Sequence, residues 1–110
     1  MSFDYREYEQ LTALAEDYPQ LATLITEHKA ERENGHYYVF PTIADFTIYL
    51  IETYDLDEET SDTKYLVGGL PNPMHYISTN VYARELANNI DNHNYILDAD
   101  NEIVCAIAGW

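Results

Sequence analysis

The sequence predicts an α+β fold, in which a small, mostly antiparallel sheet packs with about four helices in a single domain spanning residues 1–110. Stretches with apolar residues at three- and four-residue steps, typical of helices, occur along the same chain as short β-branched and aromatic runs, typical of strands. The chain is 46% hydrophobic, and 110 residues are enough for one compact core. No internal repeat or low-complexity linker divides it.

The first third of the chain predicts a helical hairpin and a strand. Apolar residues between Ser2 and Tyr18 recur at helical spacing, which predicts an amphipathic helix with an acidic outer face. Pro19 ends that helix and begins another, which is expected to continue until Asn34-Gly35 supplies a left-handed stop. The run His36–Phe40 then predicts a strand.

Two more helices and three strands are predicted in the remainder. Thr42 caps an apolar helix that continues to about Tyr54, and Ser78 or Thr79 caps a helix over residues 81–89. Tyr65–Val67 predicts a short strand between them. Residues 94–98 and 102–108 predict a hairpin joined by the three-residue turn 99–101.

Cysteine content and hydropathy limit the cellular setting. Cys105 is the only cysteine, so an intrachain disulfide is impossible and the residue is expected to be a small buried hydrophobe. No apolar run approaches the ~20 residues of a membrane span, and the N-terminal residues lack the apolar stretch of a signal peptide. We therefore expect a cytoplasmic protein that does not bind a membrane.

Motifs for metal binding or catalysis are missing. The segments Asp55-x-Asp57-x-Glu59 and Asp98-x-Asp100-x-Glu102 begin like calcium loops, but both lack the glycine and the final glutamate of an EF-hand. The sequence contains no phosphate-cradling loop, nucleophile elbow or dinucleotide fingerprint. The four histidines are too scattered for a zinc site: His28, His36, His75 and His93. We expect a protein that is not an enzyme and that needs no cofactor.

Charge is the most informative property of the sequence. Twenty Asp and Glu against five Lys and Arg give a formal net charge of -15. Because self-repulsion of this size opposes folding, the excess indicates a role toward an external partner. An acidic surface repels nucleic acid, and five scattered bases cannot grip phosphates, so we expect no direct binding of nucleic acid. The favoured partner is a DNA-binding protein or nuclease complex with a basic cleft.

The densest acidic stretch lies between residues 52 and 62, where no basic residue occurs. Acids three or four residues apart lie ~5–6 Å apart on a helix, a spacing that would continue if the third predicted helix extended past Tyr54. The alternative is a loop whose carboxylates are merely solvated. With the C-terminal hairpin, the predicted partner-binding face comprises Glu52, Asp55, Asp57, Glu58, Glu59, Asp62, Asp98, Asp100 and Glu102.

A resemblance makes this role more specific. The segment 76–86, with the sequence YISTNVYAREL, is followed by Tyr95–Asp98 and an acidic hairpin. This arrangement resembles the antirestriction proteins of the ArdA type, which are acidic DNA mimics of plasmids, transposons and phages. The string Tyr82–Leu86 fits the family pattern of aromatic, small, Arg, acid and Leu, whereas Ser78 replaces the acid that follows Ile77.

The resemblance implies a non-catalytic DNA mimic that occupies the DNA-binding cleft of a host defence complex, either a type I restriction enzyme or a CRISPR effector. Arg84 is expected to pair internally, near Glu85 or with Asp98 or Asp100. The alternative function is an acidic interaction or regulatory module that binds a basic protein without imitating DNA. The sequence leaves open whether the chain forms a homodimer.

Overall fold

A four-stranded antiparallel sheet with strand order β1-β2-β4-β3 forms the middle layer of the fold. The computed structural model describes residues 3–109, and the predicted α+β class is confirmed there. The helices within this range are α1, α2, α3 and α4, at Leu11–Asp17, Pro19–Glu27, Ile43–Thr53 and Thr79–Asn89. The strands are β1, β2, β3 and β4, at Arg6–Tyr8, His36–Phe40, Tyr95–Asp98 and Ile103–Ala108.

Helices cover both faces of the sheet, because side chains alternate along each strand. On β4, Cys105 and Ile107 face a cluster that includes Leu14 of α1 and Ile25 of α2. Val104 faces the opposite side, where the second cluster contains residues of α3 and α4. Both faces of β4 are therefore covered.

The predicted first helix is wrong at its beginning. Residues Arg6–Tyr8 form β1, which pairs with β2 through Glu7 opposite Tyr38 and Tyr8 opposite Tyr37. Only the part from Leu11 onward is helical, and the predicted start at Ser2 lies outside the described residues. Pairing with an existing sheet edge outweighs the weak helical preference of this short segment.

The second helix begins at Pro19 as predicted but ends at Glu27. Lys29 terminates this helix by adopting the left-handed conformation, with φ 55°. The backbone N–H of Ala30 donates to the Ile25 carbonyl at 2.9 Å, which closes a Schellman motif. Gly35 has another role: a Cβ there would lie 3.0 Å from the Arg32 Cβ, a tight contact that favours glycine.

Helices α3 and α4 have the predicted caps. The Thr42 hydroxyl accepts from the Asp45 backbone N–H at 3.0 Å, and the Ser78 hydroxyl accepts from the Val81 backbone N–H at 3.2 Å. The predicted strand 65–67 is wrong, because only an isolated bridge between Tyr65 and Pro71 forms there. The loop that contains this bridge is held by buried hydrogen bonds instead of a sheet.

Candidate acidic interface

The acidic segment 55–62 is a turn followed by a short 3₁₀ helix, because α3 ends close to Tyr54, as predicted, and does not extend past it. Helix α3 ends at Thr53, and Asp55 adopts the left-handed conformation with φ 53°. The Leu56 backbone N–H donates to the Ile51 carbonyl at 2.9 Å, which stops the helix as in a Schellman motif. Glu52, Asp55 and Glu59 therefore do not share one helical face, since that arrangement required a helix extending past Tyr54.

Reciprocal capping fixes the 3₁₀ helix Glu58–Thr60. The Asp57 Oδ1 atom accepts from the Thr60 backbone N–H at 3.2 Å, and the Thr60 hydroxyl accepts from the Asp57 backbone N–H at 3.1 Å. Asp57 was predicted only as a partner contact, but its side chain is committed to this cap. The cap leaves Glu58 and Glu59 exposed on the turn that follows.

Asn72 holds the segment from inside the protein. Its side chain is fully buried and donates to the Thr60 carbonyl at 2.9 Å and to the Thr63 carbonyl at 2.8 Å. Its amide oxygen accepts from the Met74 backbone N–H at 2.9 Å. Every polar atom of the buried side chain is thereby used, so the conformation of the acidic turn is tied to the core.

The carboxylates of this segment are exposed and concentrated. Asp55, Asp57, Glu58, Glu59 and Asp62 are all exposed, as is Glu52 in the last turn of α3. The ion pairs seen within residues 3–109 join Arg6 to Asp17 and His36 to Glu7, and neither involves residues 55–62. The segment therefore presents carboxylates that form no ion pair with a basic side chain in the described part of the chain.

The predicted hairpin face needs a correction, because Asp98 is only 1% exposed. Its carboxylate accepts from the backbone and side-chain N–H groups of Asn101, at 3.3 and 2.9 Å, and so closes the turn between β3 and β4. Asp98 cannot present its charge to a partner. The turn has four residues, 99–102, instead of the predicted three, and Glu102 takes the left-handed conformation with φ 56°.

The two predicted parts of the acidic face lie near opposite ends of β3. At the hairpin end, the Asp100 carboxylate accepts from the Gln20 side chain at 3.2 Å. At the start of β3, burial raises the pKa of Tyr95 to about 12, with further contributions from nearby Tyr54, just after α3, and Asp91. The hairpin turn therefore neighbours the start of α2, whereas the end of α3 lies toward the other end of the strand. The predicted acidic face is therefore divided into two separate patches and does not form one stripe.

Arg84 does not form the predicted internal pair. It is exposed on α4, and its side chain forms no hydrogen bond or ion pair with residues 3–109. Tyr82 and Leu86 of the same string are buried, and the Tyr82 hydroxyl donates to the Pro71 carbonyl at 3.0 Å. The aromatic-to-Leu spacing of the segment is thus explained by core packing.

Asp91 is an acidic residue whose role the sequence analysis missed. Burial acts to raise its pKa, but hydrogen bonds from the backbone N–H groups of His93, Asn94 and Tyr95 and from the Asn94 side chain outweigh it, so the pKa is lowered. These bonds organise the turn that leads into β3. The Asp-Asn-His-Asn run was the available signal, since such residues are typical of turns closed by an Asp side chain.

Among residues 3–109, no three or more His, Cys, Asp or Glu side chains are grouped so that they could hold a metal ion. In the same range, every helix is too short or too polar to cross a membrane. Comparison with protein-family models, with curated proteins and with solved structures found no match to this chain.

Proposed function

We propose that this protein is a non-catalytic DNA mimic that acts in the cytoplasm of a bacterial host. It would occupy the basic DNA-binding cleft of a host defence complex, either a type I restriction enzyme or a CRISPR effector. The observation that carries the proposal is the turn 55–62, whose exposed carboxylates form no ion pair with a basic side chain of residues 3–109 and which is held by a cap and by buried Asn72.

Charge density supports mimicry. All but three of the twenty Asp and Glu are exposed, the exceptions being half-buried Asp45 and Glu85 and buried Asp98. The molecule is 41 Å long, a length over which duplex DNA carries about 24 phosphate charges. A formal charge of -15 is about three fifths of that value, so the protein can compete for a cleft evolved to bind DNA.

Fixed geometry adds to this argument. A disordered acidic tail would lose conformational entropy on entering a cleft, which weakens binding. The capping of Thr60 and the bonds from Asn72 order the segment before binding. The resemblance to antirestriction proteins adds to the proposal, although Tyr82 and Leu86 in the matched string contribute to the core and not to a surface.

Displacement of DNA tests the proposal directly. A fluorescent duplex is bound to a purified type I restriction complex and, separately, to a CRISPR effector, and the protein is titrated in while anisotropy is followed. We expect displacement from at least one complex, and it should weaken steeply between roughly 50 and 200 mM salt. Binding to a complex that still holds its DNA would favour the acidic interaction module instead.

A further inference from the structure

Five aromatic side chains line a cleft of about 260 Å³ at the β1 edge of the sheet. They are Phe3, Tyr5, Tyr38, Phe40 and Tyr49. Tyr5 is 40% exposed, whereas Phe40 is buried at the base. The cleft therefore has a buried base at Phe40, and the exposed ring of Tyr5 is accessible to a partner.

Ring packing holds these side chains in place. The centroids of Phe40 and Tyr49 are 4.8 Å apart, and Phe3 meets Tyr49 edge-on at 5.6 Å. Tyr5 lies 6.4 Å from Tyr38 and 6.3 Å from Phe40. Ring faces carry partial negative charge, so aromatic rings around a cleft favour a cation.

Carboxylates lie next to residues that line the cleft. Glu7 lies opposite Tyr38 in the register of β1 and β2, and its Oε1 atom is 3.0 Å from the His36 Nδ1 atom. Asp4 lies between Phe3 and Tyr5 in sequence, and its backbone N–H donates to the Asp45 carboxylate at 3.1 Å. The five lining residues carry no formal charge, so the nearest carboxylates set the sign of the local field and favour a cation.

Tyr38 keeps its phenolic proton at physiological pH. Burial raises the pKa of Tyr38, and the nearby Glu7, Tyr5 and Tyr49 raise it further. A phenol with a raised pKa retains its proton and its hydrogen-bonding O–H group. The attraction for a cation at this site therefore comes from ring faces and from the carboxylates around them.

We infer that this cleft binds the guanidinium group of an arginine side chain presented by a basic partner protein. This inference rests on the proposed function, since a cleft that grips DNA is lined by such side chains. Arginine fits better than lysine because its planar, weakly hydrated head group stacks on aromatic faces. Nearby carboxylates add charge attraction that an apolar partner side chain would not use.

A pair of small probes separates charge from shape. Acetyl-arginine amide and acetyl-citrulline amide have nearly the same shape, but only the first is charged. We expect the arginine probe to shift the NMR resonances of the Tyr5 and Tyr38 rings at millimolar concentration, with citrulline binding roughly tenfold more weakly. Equal affinities, or no shifts with either probe, would overturn the inference.

Substitution locates the binding. Tyr5→Leu should abolish arginine binding at the cleft and Tyr5→Phe should retain it, because only the first removes the ring. Tyr65→Leu is the matched control, since Tyr65 is also 40% exposed but does not line the cleft. Circular dichroism melting curves identify any variant that fails to fold, and retained binding by a folded Tyr5→Leu variant would contradict the assignment.

Failure of this inference and failure of the proposed function give different results. If the arginine probe does not bind but the parent protein displaces DNA, the cleft has no such role and the DNA-mimic proposal stands. If the arginine probe binds and no DNA is displaced, the cleft retains its assigned chemistry and the DNA-mimic proposal fails.

Discussion

Asp57 and Thr60 cap each other, with the Thr60 backbone N–H 3.2 Å from the Asp57 Oδ1 atom and the Asp57 backbone N–H 3.1 Å from the Thr60 hydroxyl. This pair holds the acidic turn that we propose as the partner-binding surface. One carboxylate of the turn is therefore structural, while its neighbours Glu58 and Glu59 carry charge without forming the cap.

Loss of this cap should lower stability. Asp57→Ala is expected to reduce the free energy of unfolding by about 1 kcal/mol, as measured by urea denaturation. Asp57→Asn keeps an acceptor oxygen and should lose much less. Glu58→Ala is the matched control and should change stability by less than ~0.5 kcal/mol. Equal effects of the two Ala variants would contradict the structural role of Asp57.

Arg32 should contribute more to stability than Arg84. Its guanidinium donates to the Asn94 side chain at 2.7 Å and to the Gly109 carbonyl at 2.9 Å, with longer bonds to the His93 and Ile107 carbonyls. Arg32→Gln is expected to cost about 2–3 kcal/mol, since charged hydrogen bonds from the loop before β2 to the turn before β3 and to the end of β4 are lost. Arg84→Gln should leave the urea midpoint unchanged. A similar loss of stability in both variants would contradict the structural role of the Arg32 hydrogen bonds.

Alkaline pH should destabilise the fold in a defined window. Burial and the hydrogen bond to Asp17 raise the pKa of Tyr8 to about 12, and burial raises that of Tyr95 to about 12. Unfolded tyrosine titrates near 10, so the unfolded state binds fewer protons between about pH 10 and 12. Stability should therefore fall across that window. Urea denaturation at several pH values tests this, and Tyr95→Phe should make the decline shallower; an identical decline would contradict the assignment.

Cys105 should be unreactive in the folded protein. Its thiol is fully buried, and burial raises its pKa to about 12, so almost no thiolate forms at pH 8. We expect Ellman's reagent to react with this residue only after unfolding in urea. Reaction of the native protein at the rate seen in urea would mean that β4 is accessible to solvent.

Local signals predicted much of the fold, and long-range contacts explain the errors. The strand His36–Phe40 and the Thr42 and Ser78 caps depend on neighbouring residues, and all are confirmed. Strand β1 was missed because it depends on pairing with a segment about thirty residues away in the sequence. The left-handed stop was assigned to Gly35, whereas Lys29 provides it, since tertiary packing can hold a non-glycine residue there.

The sequence predicted the negative charge of the candidate interface but not its shape. The absence of bases between residues 52 and 62 is visible in the sequence, and exposure of these acids agrees with it. Burial of Asp98 and the internal role of Asn72 depend on the turns they close, which no spacing pattern specifies. A count of carboxylates therefore cannot separate those that cap turns from those that face solvent.

Paired charge reversals test the central claim most directly. Glu58, Glu59 and Asp62 changed to Lys alter the acidic turn and spare the Asp57 cap. Glu27, Glu31 and Glu33 changed to Lys alter exposed acids at the end of α2 and in the loop after it. Each triple variant has a formal net charge of -9, since every change from an acid to Lys adds two units to -15.

The measurement is displacement of a fluorescent duplex from the target complex, after circular dichroism has shown that both variants are folded. We expect the turn variant to lose at least about tenfold in apparent affinity, because its lysines repel the basic cleft, while the α2 variant stays close to the parent protein. Equal losses in the two variants would show that net charge alone governs binding. Full displacement by the turn variant would contradict the assignment of residues 55–62 as the DNA-mimicking surface.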